Sequence, residues 1–324
     1  LPGGRRTVAC SGMRSPRIPR TLARVSLSGL VVLAAAATTF GCGSGGAEVR
    51  TPPPPPPATS APEPQPEPVV YGARPRELTA VVDPRLQEPF EPGRVAGTVA
   101  VYDTGDGVLR CGDLERCARG HVPASTFKIT NTLIALENGV IGSAEAPLAW
   151  DGQLHAVEDW NRDHTVRSAF RASCVPCFQQ IAREIGESRM RDWLARLEYG
   201  NQDCSGSVDF FWLGGPLLIT PLEQLDFLWR LDAGELSLRP ETLAVVRDVM
   251  EIESRDGTVL RGKTGWAAPP EVEQEVAWFV GWVEVERRRV FFATIIDERA
   301  PELDLAAARR EVTGQALRAL ALDV

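Results

Sequence analysis

Ten of the seventeen residues from Pro52 to Pro68 are proline, six of them in one unbroken run, Pro52 to Pro57. Proline fixes φ and carries no amide donor. At this density it holds a chain in the extended polyproline II helix, which has no interior. No strand or helix of a shared core can run through the stretch. It therefore divides the chain into a short N-terminal part and one C-terminal body. At about 3.1 Å per residue it reaches roughly 50 Å. A tether holding a folded domain off a membrane fits such a segment; a ligand for a proline-reading domain is the other reading.

Residues 1–42 read as a signal peptide. Met13, the better initiator, is followed by Arg14, Arg17, Arg20 and Arg24, and then by an apolar run from Leu27 to Phe40. That run is too short and too rich in alanine for a membrane span. It ends in Thr39-Phe40-Gly41-Cys42. Gly before Cys suits lipoprotein processing with a lipid anchor on Cys42, although Thr39 stands where Leu is usual; a plain cleaved signal is the alternative. The expectation is an exported, periplasmic, membrane-tethered protein with a linker over 43–72 and a globular unit over 73–324.

The first 42 residues hold six arginines and no acid, so removing them takes the formal net charge from −8 to −14. Such a body is a poor nucleic-acid partner, and an anionic small substrate would need a local positive site. In an oxidising compartment Cys111 and Cys117 are expected to pair across a short loop. Cys174 and Cys177 have C-x-x-C spacing but no second pair, and His121, His155 and His164 show no ligand spacing. They read as buried thiols, with no metal expected. Nothing in the chain specifies an oligomeric state.

Alternation over Ala96–Tyr102 predicts a strand, with a hairpin partner from Gly107 to Arg110. A helix is expected from Ser125 to Asn138, closed by Gly139. Short helices follow around Ala156–Asn161, Cys177–Ile185, Ser188–Leu197, Pro221–Leu231 and Pro240–Ile252. Strands return at Gly257–Lys263, Val276–Val285 and Val290–Ile296, before a last amphipathic helix from about Glu302 to Leu320. This order predicts an α/β fold of the α+β kind. A central antiparallel sheet is flanked by helices, an all-helical lobe is inserted, and a cleft lies at the seam.

Only two lysines stand against 33 arginines, Lys128 in Ser125-Thr126-Phe127-Lys128 and Lys263 in Lys263-Thr264-Gly265. Arginine carries a surface charge equally well but cannot give up its proton. The two survivors are candidates for chemistry rather than solvated charges. Three apart on a helix, Ser125 and Lys128 share a face, so hydroxyl and amine can meet. At the helix N-terminus the backbone N–H of Ser125 is free for an oxyanion. Ser125 needs a neutral base, and Lys128 is neutral only in a dry pocket.

Penicillin-recognising serine enzymes pair S-x-x-K with S-D-N and K-T-G. Here Ser173-Cys174-Val175 replaces the middle motif. With Pro123-Ala124-Ser125-Thr126-Phe127-Lys128, Pro176, Phe178-Gln179, Tyr199-Gly200-Asn201, Phe210-Phe211-Trp212-Leu213 and Trp278-Phe279-Val280-Gly281-Trp282, the chain resembles the class D, oxacillinase-type serine β-lactamases over residues 75–324. The resemblance implies a serine β-lactamase/penicillin-binding-protein-like fold and hydrolysis of β-lactam substrates through a Ser125 acyl-enzyme. It implies no cofactor beyond CO2 or bicarbonate, which would carbamylate Lys128 to the general base.

Phe127, Val175, Trp212 and Leu213 are the implied apolar walls, with the Trp212 N–H on the carbamate. Ser173 would relay a proton to the lactam nitrogen, or act as a helix N-cap. Lys263 and Thr264 would meet the substrate carboxylate, joined by Arg309 or its neighbour Arg310. The N–H of Trp266, after Gly265, would complete the oxyanion hole. Tyr199-Gly200-Asn201 is more structural than catalytic in the family. A β-lactam sensor domain and a penicillin-binding transpeptidase or carboxypeptidase use the same groups and are the alternatives.

Overall fold

The computed structural model describes residues 69–322 except 91–93, 269 and 273. The expected signal peptide, Cys42 and nearly all of the expected linker lie outside the described residues. Packing begins at Tyr71, inside the stretch assigned to the linker. Its hydroxyl donates to Asp232 Oδ2 at 2.7 Å, and its carbonyl accepts from Tyr102 Oη at 3.0 Å.

The N-terminal strands are β1 (Val81–Val82), β2 (Val95–Asp103) and β3 (Val108–Cys111). The short α1 (Leu114–Cys117) follows, then α2 (Lys128–Glu137). A two-residue ribbon of β4 (Pro147–Leu148) and β5 (His164–Thr165) precedes α3 (Val166–Arg171), α4 (Val175–Ile185), α5 (Glu187–Leu197), α6 (Pro221–Ala233) and α7 (Pro240–Met250). The chain then returns through β6 (Glu251–Arg255), β7 (Thr258–Ala267), β8 (Val276–Val285), β9 (Arg288–Arg299) and the last helix α8 (Leu305–Ala319). The main sheet has seven strands in the order β1-β3-β2-β9-β8-β7-β6.

The sheet is antiparallel except at one edge, where the two-residue β1 runs parallel to β3. The wholly antiparallel expectation is corrected there. A two-residue extended segment has no periodicity by which its pairing could be read. Strand β6 was also unforeseen, because its Glu251-Ile252-Glu253-Ser254-Arg255 continues the polar pattern of α7. The turn expected as a helix around Ala156–Asn161 is only a 3-10 turn, Glu158–Trp160.

Strands β8 and β9 are apolar on both faces because both are covered. Trp278, Val280, Trp282, Phe291, Ala293 and Ile295 join the core shared with the helical segment between β3 and β6. Ala277, Phe279, Val283, Val290, Phe292 and Ile296 pack under α8 through Leu305, Ala308, Val312, Ala316 and Leu317. Helices α2 and α6 thus lie on one face of the sheet and α8 on the other. The cleft falls where α2 begins beside β7.

Candidate active site

Ser125 sits in a 3-10 turn, Ala124–Phe127, that runs straight into α2, so the expected single helix begins one tight turn late. Ala124 has φ 50°, a left-handed conformation that costs a residue with a Cβ on the order of 1 kcal/mol. Thr126 clamps the turn by donating from Oγ1 to the Pro123 carbonyl at 2.7 Å. Gln224 of α6 braces it, donating to Thr126 Oγ1 at 3.0 Å and to Tyr199 Oη at 3.4 Å. Tyr199 is itself buried edge-on to Phe127 and Phe227. The Asn201 amide holds the Pro216 carbonyl at 2.8 Å. Tyr199 thus belongs to the scaffold of the turn, and Asn201 to that of the 216–218 segment.

Lys128 is completely buried and donates from Nζ to Ser125 Oγ at 2.8 Å. Burial alone pushes its pKa down to about 7 from the ordinary 10.5. Its surroundings are aromatic. The Phe178 ring lies 5.3 Å from Nζ, and Phe127 stacks on Trp212 with centroids 5.3 Å apart. Val175, at the start of α4, and Leu213 are half-buried.

Ser173 lies between α3 and α4 in a left-handed conformation, φ 51°. It is not the N-cap of α4. Cys174 takes that place, its sulfur accepting from Cys177 N–H at 3.3 Å. Lys263 Nζ donates to Ser173 Oγ at 3.0 Å and to the Thr264 carbonyl at 2.9 Å. Its pKa is driven well below the usual lysine range, first by burial, then by the facing Lys128 and by Arg309 and Arg310.

Past Arg261, β7 is paired only with β8, so its outer edge over 262–267 is open toward the serine turn. Gly265 makes that approach sterically feasible. A Cβ there would meet the Pro123 carbonyl oxygen at 2.9 Å and Thr126 Cγ2 at 3.0 Å. Across the sheet from Gly265, Trp278 donates from its indole to the Val122 carbonyl at 3.0 Å, tying the turn to the strand. Trp266 follows with its ring largely exposed and its indole on Glu275 at 2.8 Å.

Of the two candidate arginines, Arg309 reaches the strand, donating from Nη1 to the Gly265 carbonyl at 2.6 Å while its Nε has no partner. Burial, and secondarily Arg310, pulls its pKa down to about 10. Arg310 lies over Phe279 at 5.3 Å and lines a hollow with Lys263 and Thr264. Sequence reasoning did not single out Phe170, 5.6 Å from Lys263 Nζ, or Gln224. Neither carries a local signature, since each acts only through the packing of distant segments.

Cys111 and Cys117 form the expected disulfide. The reading of Cys174 and Cys177 as thiols is corrected, because they too are bonded to each other. A first helical turn brings residues i and i+3 together, and C-x-x-C spacing alone does not say whether the sulfurs are joined. His164 lies beside both sulfurs. Its ring nitrogens are engaged by Ser168 Oγ at 2.9 Å and the Asp159 carbonyl at 2.8 Å.

A serine and a buried lysine on one turn, facing a second serine and an edge-strand lysine across the cleft, define the penicillin-recognising serine enzymes. The family model described as "Penicillin binding protein transpeptidase domain" matches residues 112–320. Within that class the chain belongs to the class D serine β-lactamases. It is 40% identical to β-lactamase OXA-10 of Pseudomonas aeruginosa over 209 residues, 64% of this chain and 79% of that protein. It is 36% identical to β-lactamase OXA-48 of Klebsiella pneumoniae over 229 residues, 71% and 85% of the respective lengths. Among solved structures it resembles the class D β-lactamase YbXI from Nostoc, with 44% identity and TM-score 0.67 over 70% of this chain and 95% of that one. FUS-1 (OXA-85) from Fusobacterium nucleatum subsp. polymorphum matches with 33% identity and TM-score 0.70 over 74% and 98%.

Proposed function

We propose that this class D enzyme hydrolyses the lactam amide of penicillin-type antibiotics through an acyl-enzyme on Ser125. The observation that carries the mechanism is Lys128, wholly buried, 2.8 Å from the nucleophile and with a pKa pushed to about 7. A neutral amine in an apolar pocket can add CO2 and lose a proton. The chamber made by Phe127, Phe178, Val175 and Trp212 suits that product, with the Trp212 N–H as its donor. Carbamylated Lys128 supplies a carboxylate base.

Ser125 gives up its proton toward Lys128 as Oγ attacks the lactam carbonyl. The N–H groups of Ser125 and Trp266 receive the oxyanion. Ser173, hydrogen-bonded to Lys263, passes a proton to the departing lactam nitrogen. Thr264 and Arg309 hold the substrate carboxylate. Water activated at Lys128 then cleaves the ester and frees Ser125. An anionic carbamate at Lys128 would also raise the pKa of Lys263, which a charged Lys128 lowers, favouring the ammonium that Ser173 and the carboxylate require.

The leader and the proline-rich segment support export to the periplasm, with Cys42 as the lipid-bearing anchor. Steady-state hydrolysis of nitrocefin tests the catalytic reading. One equivalent of acyl-enzyme without turnover would overturn it in favour of a sensor or a transpeptidase.

A further inference from the structure

Ser173 must keep an unfavourable backbone conformation in order to meet Lys263. Its φ of 51° lies in the left-handed region, which a side chain other than glycine's occupies only when the flanking structure enforces it. On the N-terminal side two hydrogen bonds enforce it, Ser173 N–H to the Phe170 carbonyl at 3.2 Å and Cys174 N–H to the Ala169 carbonyl at 2.9 Å. Together they close α3.

On the C-terminal side the next residue is Cys174, bonded through sulfur to Cys177 across the first turn of α4. The same turn contains Pro176 and the half-buried Val175. The disulfide thus ties the N-cap residue of α4, the immediate neighbour of Ser173, to the first turn of that helix. It lies beside the one serine that Lys263 touches.

The geometry points to the Cys174–Cys177 disulfide as a redox-sensitive positioning device for Ser173, so that acyl transfer is faster in the oxidised enzyme than in the reduced one. The inference rests on the proposed serine chemistry but not on its deacylation half. The reduction is a two-electron exchange with an external dithiol. Cys177 is the residue nearer solvent, 8% exposed, while Cys174 is fully buried. A reductant thiolate attacks Cys177 Sγ, the protein S–S bond breaks, and Cys174 leaves as a thiolate. The Cys177 N–H that already points at Cys174 Sγ, and the start of α4, stabilise that thiolate. The second thiol of the reductant then attacks the mixed disulfide, releasing Cys177 and leaving the reductant oxidised. Both cysteines end as thiols after proton uptake, and the first turn of α4 loses its covalent brace.

The test follows the mass of the Ser125 acyl-enzyme formed with a penicillin, in rapid-quench time courses, for the purified protein before and after dithiothreitol. Thiols on Cys174 and Cys177 are counted by alkylation. A Cys111→Ala/Cys117→Ala variant removes the other disulfide from the comparison. The expected result is an acylation rate about fivefold to tenfold lower on reduction, with little change in the penicillin concentration at half-saturation. Reoxidation with oxidised glutathione restores the rate. A brace serving stability alone would change the melting temperature and leave the rate at 15 °C where it was. An unchanged rate with both thiols alkylated overturns the proposal, as does full acylation by Cys174→Ala/Cys177→Ala. An acyl-enzyme that forms at redox-dependent rates but never hydrolyses would instead refute the β-lactamase reading and leave the redox brace standing.

Discussion

Lys128 and Lys263 are both buried, yet the protein uses them differently. Lys128 Nζ donates to Ser125 Oγ and lies over the Phe178 ring, and burial pulls its pKa to about 7, so its neutral form dominates above that pH. Below that value it protonates, and the proposed addition of CO2 would be blocked. Enzyme stripped of CO2 at pH 5.5 is therefore expected to be nearly inactive, and bicarbonate at pH 7.5 to restore it. Indifference to bicarbonate would favour an uncarbamylated base. Lys128→Arg buries a permanent cation and should lower stability, whereas Lys128→Ala should keep the fold; either should lose about 10²- to 10⁴-fold in kcat, the range of a missing general base, and a ¹³C carbamate signal seen in the parent should vanish.

The arginines separate in the same way. Arg309 is anchored on the Gly265 carbonyl, whereas Arg310 rests on Phe279. Arg309→Ala should lower kcat/KM for a penicillin about ten- to hundredfold through the loss of a charge-assisted pair. Arg310→Ala should cost much less. Equal losses would assign the carboxylate to both.

At the scale of elements, the site depends on how closely β7 passes the serine turn. Gly265 sets that distance, since the nearest neighbours of an added Cβ include the Pro123 carbonyl oxygen and the Thr126 backbone nitrogen, neither of which can yield alone. Gly265→Ala should destabilise by about 1–3 kcal/mol, the usual effect of overpacking, and should depress acylation by moving Trp266 N–H away from Ser125. Chemical denaturation and acylation rates measured together check both effects.

Sequence periodicity was sufficient for this scale wherever an element buries a continuous face. Strand β8 spans the Val276–Val285 expected from its apolar run, and Gly139 follows α2 as expected. It was insufficient for β6, whose side chains are mostly exposed, and for β1, where two residues are too few to carry a pattern. It also stopped β7 at Lys263, although the strand continues to Ala267, because Thr264-Gly265-Trp266 lacks alternation.

For the whole molecule, the sequence separates the folded body from the N-terminal 42 residues by the proline-rich segment, and the proposed anchor at Cys42 can be tested apart from catalysis. If Cys42 bears the lipid, wild-type activity should sediment with membranes, and Cys42→Ala should release it into the soluble periplasmic fraction with kcat unchanged. Membrane-bound activity in the variant would count against the anchor.

What the sequence determined by itself is local. Ser125 and Lys128 can meet because three residues make about one helical turn, a relation legible from spacing alone, although distant residues such as Gln224 brace the turn itself. The proline run likewise excludes a core wherever it lies. Tertiary structure alone decided the rest. Ser173 reaches Lys263 across 90 residues and Arg309 reaches Gly265 across 44, through packing between the sheet, the helical segment and α8. The chemistry of Lys128 also belongs to that level. Its type and spacing are legible in sequence, but its lowered pKa comes from burial, to which the fold contributes by bringing Phe178 over Nζ and Trp212 onto the neighbouring Phe127.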